Sequence, residues 1–179
     1  MISLLILTSL ILTPDLIKPT DPVCIDSTGS RWRRPVHVDA VEESIVKGVW
    51  QTPSPGEVVT LPDGRERTWR SMGDKDGTNG PRGGYVVYTF DSSERYPAML
   101  DARGHSFAYI NGQPRGGDVY NRGTLRMPFM VQEGTNELMF RSGRGPLKPR
   151  VHSAAAIARD EMSNPSDRVV FFGSKDRTL

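Results

Sequence analysis

The chain of 179 residues has one cysteine, Cys24, and only three histidines, His37, His105 and His152, far apart in sequence. A single cysteine closes no internal disulfide. So few thiols and imidazoles exclude a zinc framework. Long apolar runs are also missing. The longest, ISLLILTSLILT, covers residues 2–13 and has 12 residues, against the roughly 20 that span a bilayer as a helix. Charge of one sign is not in excess: 23 Lys and Arg stand against 21 Asp and Glu, a net charge of +2. Proteins built to neutralise phosphates concentrate basic residues, so this balance argues against nucleic acid as the main partner. Arg31-Trp32-Arg33-Arg34 and Gly143-Arg144-Gly145 each occur once and read as an exposed basic turn and a turn between strands.

Turn formers are abundant, with 18 glycines and 14 prolines, which disfavours long helices. The run at 2–13, ended by Pro14 and Asp15, reads as the apolar core of a signal peptide, and predicts a secreted or periplasmic protein. Residues 14–35, rich in Pro, Asp, Ser and Arg, read as a linker. From residue 36 short β-type segments follow one another: 36–40, 45–50, 57–61, 65–70, 85–90, 96–102, 106–110, 124–131, 137–141 and 147–151. Pro62-Asp63-Gly64 and Asn111-Gly112 are hairpin signals, because Pro presets φ and Gly accepts positive φ. A spacing of about 8–12 residues between strands predicts an all-β protein, an antiparallel β-sandwich or jelly roll, over 36–152. The tail, 153–179, holds one helical candidate at 154–162 and a strand-like RVVFF at 168–172.

A series of short motifs between 84 and 151 has a family likeness. Gly84-Tyr85, Leu100-Asp-Ala-Arg-Gly-His105, Ala108-Tyr-Ile-Asn-Gly112, Gly117-Asp118-Val-Tyr120, Glu133-Gly-Thr-Asn136 and Phe140-Arg-Ser-Gly-Arg-Gly145 follow in that order. Together they resemble the galactose-binding-like jelly-roll module of sugar-binding domains in family 2 glycoside hydrolases. They are still more similar to the N-terminal β-domain of secreted prolyl-oligopeptidase-like (S9-type) α/β-hydrolases. The resemblance implies a non-catalytic accessory domain that packs against a serine-hydrolase domain, in the same or an adjacent reading frame, and a chain truncated before that domain. The alternative it implies is a stand-alone extracellular carbohydrate-binding module. Turn chemistry alone explains much of the pattern, so the likeness speaks to fold before function.

No catalytic constellation is evident, and no activity is expected of this chain alone. Gly104-His105-Ser106-Phe107-Ala108 approaches the nucleophile elbow G-x-S-x-G. An elbow needs a strand, a sharp turn and a helix, whereas a strand and an Asn-Gly hairpin follow here. Asp74, Asp76 and Asn79 start like a Ca²⁺ loop, but Asn79 and Tyr85 stand where an EF-hand needs Gly and Glu, leaving only a looser Ca²⁺ loop as an alternative to no metal and no cofactor. Ligand-binding candidates are Trp69, for stacking on a sugar face, and Asn111, Asp118, Tyr120, Asn121 and Arg122, for hydroxyls and stacking. Tyr85 and Tyr109 are expected in the core. The loop at 116–122 is favoured because loops at one end of a sandwich carry binding.

Overall fold

Alternating apolar residues on β-branched and aromatic segments give strands whose two faces go to different layers. The computed structural model describes residues 16–29, 38–72, 80–123, 125–143, 145–154 and 156–157. The signal-like run at 2–13, the basic turn at 31–34, Asp74, Asp76 and Asn79, most of the helical candidate and the segment 168–172 lie outside these residues.

Among the described residues the elements follow in order: β1 (Leu16–Ile17), β2 (Thr20–Ile25), α1 (Ala40–Val46), β3 (Val58–Thr60), β4 (Glu66–Thr68), β5 (Arg70–Ser71), β6 (Tyr85–Ser92), β7 (Tyr96–Asp101), β8 (His105–Ile110), β9 (Gln113–Arg115), β10 (Arg126–Val131), β11 (Gly134–Ser142) and β12 (Arg150–Ser153). A six-stranded antiparallel sheet has the order β5-β2-β6-β11-β8-β9, and a four-stranded one the order β1-β12-β7-β10. They pack as a sandwich compatible with a jelly roll. No helix among the described residues is long and apolar enough to cross a membrane.

Between the sheets, Val86, Tyr88, Phe90, Ala108, Ile110, Leu138 and Phe140 meet Tyr96, Ala98, Leu100, Met127, Phe129, Val131 and Val151. The six-stranded sheet also buries its outer face. Tyr85, Val87, Tyr109 and Met139 alternate with the inner set and lie against Val41 of α1 and Trp69 beside the β3–β4 hairpin. Tyr85 and Tyr109 are thus core residues, as expected. On the four-stranded sheet β10 alternates exposed and buried throughout, so its outward side chains have no covering layer among the described residues. Pro128, in the middle of that edge strand, withholds a backbone donor where no neighbour needs one.

Two readings from sequence are corrected. Residues 14–35 contain two strands, not only linker. β2 lies between β5 and β6, with Val23 opposite Val87 and Cys24 opposite Val86. Asp21, at φ 49°, and Pro22 produce a bulge between Thr20 and Val23, and these turn-type residues disguise the strand. Ala40, Ile45 and Val46, placed in β-type segments by the sequence reading, belong instead to α1, and residues 47–50 follow it without forming a strand. Asp39 caps the helix by accepting from Val41 N (3.0 Å) and Glu42 N (3.3 Å), with Glu42 and Glu43 in the first turn. Cap and dipole outweigh the β-branched preference of Ile45 and Val46.

Candidate functional site

The Asn111-Gly112 turn positions one end of a groove. Both residues have positive φ, 50° and 73°, the pairing that a two-residue hairpin between β8 and β9 requires. Asn111 is tied to β11: its N donates to Glu137 O (2.9 Å), and its Oδ1 accepts from Glu137 N (2.8 Å). Its Nδ2 donates to Asn136 Oδ1 (3.0 Å). Asn136, fully buried, holds the β10–β11 turn by accepting from Gln132 N (2.8 Å) and donating to Gln132 O (2.8 Å). From the other side come residues 50–52, after α1.

The groove has a volume of about 660 Å³ and is lined by Ile45, Trp50, Gln51, Thr52, Gln132 and Glu137, among others. Glu137 is only 8% exposed. Its Oε1 accepts from Trp50 Nε1 (2.9 Å) and its Oε2 from Thr52 Oγ1 (2.6 Å). Burying a carboxylate is expensive unless it is hydrogen-bonded; here two neutral donors hold it. Each oxygen has a second lone pair, so the carboxylate retains acceptor capacity. Half-buried Trp50 meets Trp69 edge-on, with centroids 6.1 Å apart and planes at 61°, and contributes aromatic surface to the groove. Gln51, Thr52 and Gln132 line the same groove, polar side chains that can exchange hydrogen bonds with a hydroxylated ligand.

Of the sequence candidates, only Asn111 lines this groove. Trp69 is 2% exposed, stands in the outer core and lines a separate cavity of about 220 Å³ with Val49, Pro53 and Glu57. Asp118 is 8% exposed and spends its carboxylate on its own loop, accepting from Arg122 N (2.9 Å) and Gly123 N (2.8 Å). Gly117 lets this loop close on β8, since a Cβ there would run into the Ser106 carbonyl. Tyr120 is 84% exposed and its neighbour Val119 66%; Asn121 and Arg122 are exposed beside them. The loop therefore presents its tip, separate from the groove.

Ser106 lies in β8, and its Oγ donates to Arg141 O at 3.4 Å. The neighbouring His105 is fully buried, its ring edge-on to Phe140 at 5.2 Å. Neither ring nitrogen has a hydrogen-bond partner. Burial pushes the imidazole pKa down; the Asp118 charge and the Arg103 backbone pull the other way and offset it in part. The local backbone is a strand, so the elbow geometry is not met. No group of three or more metal-ligating side chains occurs among the described residues.

Comparison with protein-family models, curated proteins and solved structures finds no match for the chain. The groove is therefore read from its own chemistry. Sequence reasoning missed Glu137 and Trp50. Glu137 sits in a strand-like ELMFR, and Trp50 ends a segment read as β. The one signal available was an acidic residue in an otherwise apolar strand.

Proposed function

We propose that the protein is a non-catalytic β-sandwich that binds a neutral carbohydrate in the groove beside the Asn111-Gly112 turn. The observation that carries this is the Glu137 carboxylate, held in the groove wall by Trp50 and Thr52, in a groove that Gln51 and Gln132 also line. Hydroxyl-rich ligands are recognised by such preorganised planar acceptors and donors beside an aromatic surface. The volume suits a ligand of one or two sugar rings, within the roughly 300–1,000 Å³ typical of small-ligand sites.

The test is a glycan array probed with the full chain, then calorimetric titration of the strongest neutral glycan. Glu137→Gln and Gln51→Ala are each expected to weaken it about tenfold, the scale of one lost hydrogen bond to a charged group or a groove contact. Absence of any neutral ligand, or affinity unchanged in both variants, overturns the proposal.

A second reading is that the module is the accessory part of a secreted serine hydrolase, docked through the loop at 116–122. The exposed Val119 and Tyr120 favour it, since adjacent apolar side chains at a loop tip suit a protein contact. Reading the DNA beyond codon 179 for G-x-S-x-G followed by spaced Asp and His decides it.

A further inference from the structure

The outward face of the four-stranded sheet, uncovered among the described residues, carries a row of charges. Asp101 of β7 lies directly between Arg126 of β10 and Arg150 of β12, in register with both. Side chains so paired have Cβ atoms about 5 Å apart, close enough for ion pairs. Yet neither arginine makes an ion pair among the described residues, and neither do the nearby Arg103 and Lys148. Two cavities adjoin here and share Asp101 and Arg150. One, of about 210 Å³, is also lined by Arg103, Gly123 and Lys148. The other, of about 310 Å³, is also lined by Arg126, Met99, His152 and Ile157. Four fixed cations and one carboxylate give the patch a charge of +3, in a chain whose total is +2.

We propose that this face is a second ligand site, separate from the Glu137 groove, and that it takes an acidic saccharide of the uronate class. Guanidinium forks match carboxylates in two-point contacts. Asp101, half-buried at the centre, repels an uninterrupted run of anionic groups but accepts hydroxyl hydrogens, which a sugar ring supplies between its carboxylates. Met99 and Ile157 give apolar surface for ring C–H groups. Two adjoining cavities fit two consecutive rings.

The probe is tetragalacturonate, titrated into the full chain and followed by calorimetry. Binding is expected, weakening as salt rises from about 50 to 200 mM. Arg150→Gln and Lys148→Gln are each expected to weaken it roughly tenfold. Both positions are exposed, so folding, checked by thermal unfolding, is expected to persist, and Lys148 lies outside the strands. Arg95→Gln, at an exposed position just before β7 and at the end away from Asp101, leaves affinity unchanged. Absence of binding, equal affinity in Arg150→Gln and Lys148→Gln, or equal competition by inorganic phosphate or single-stranded DNA overturns the proposal. Neutral-glycan binding that survives in Arg150→Gln separates this site from the Glu137 groove.

Discussion

His105 is a buried imidazole with no hydrogen-bond partner for either nitrogen, pressed edge-on to Phe140. Its pKa is lowered, chiefly by burial. In the unfolded chain an imidazole titrates near 6.5. As pH falls below that value the unfolded state takes up a proton that the folded state resists. The unfolded state then binds more protons, so stability drops as pH falls from about 6.5 toward the depressed folded value, and is whole above 6.5. His105→Leu, which keeps the volume and removes the titration, is expected to flatten this part of the profile and to hold or raise stability at pH 7, because two unsatisfied polar atoms leave the core. Urea unfolding at about pH 7.5 and pH 5 measures it; an unchanged pH slope in the variant shows that His105 is not the source. The same residue was read in sequence as a neighbour of a nearly elbow-like serine. Burial inside a strand is what that reading could not see, because His105 and Phe140 are far apart in the chain and meet only through the pairing of β8 with β11.

At the scale of elements, α1 hangs on Asp39. Besides capping two backbone amides, its Oδ1 accepts from Thr28 Oγ1 at 2.8 Å, joining the helix to the chain that leaves β2. Asp39→Ala is expected to cost about 1–3 kcal/mol, a lost cap plus a hydroxyl left unpaired in a buried place. Asp39→Asn is expected to cost less. Denaturant titration with unchanged slope checks this; a loss under a few tenths would mean the helix is held by Val41 packing alone. Asp39 followed by Glu42 and Glu43 carries the pattern of a helix start, which the β-branched Val41, Ile45 and Val46 mask in the sequence. β6, β7, β8, β10 and β11 were legible because their residues are β-branched, aromatic or alternating and each is followed by a turn signal. β2 was not, because Asp21 and Pro22 imitate a loop. Of the candidate site, Asn111 was legible as a turn residue. Trp50 and Thr52 were not, since they reach Glu137 across 87 and 85 residues, a separation no local pattern encodes.

On the scale of the whole molecule, the six-stranded sheet is buried on both faces and depends on β2 for continuity between β5 and β6. A chain beginning at residue 36, where the sequence suggests a domain start, is expected to lose cooperative thermal unfolding. It would uncover one edge of β6 and remove Cys24 and Ile25, both fully buried on opposite faces. Circular dichroism melting of the two chains tests this, and a shared midpoint would show that β2 is dispensable. β2 also settles the chemistry of the lone thiol. Cys24 lies inside the sandwich, burial raises its pKa, and the Arg70 guanidinium that offsets this donates to Sγ at 3.1 Å. Only the thiolate reacts readily with oxidants and disulfides, so this sulfur is sheltered both by position and by protonation. The fold then owes nothing to the redox poise of its surroundings: it neither needs an oxidising compartment to close a crosslink nor a reducing one to keep its thiol single.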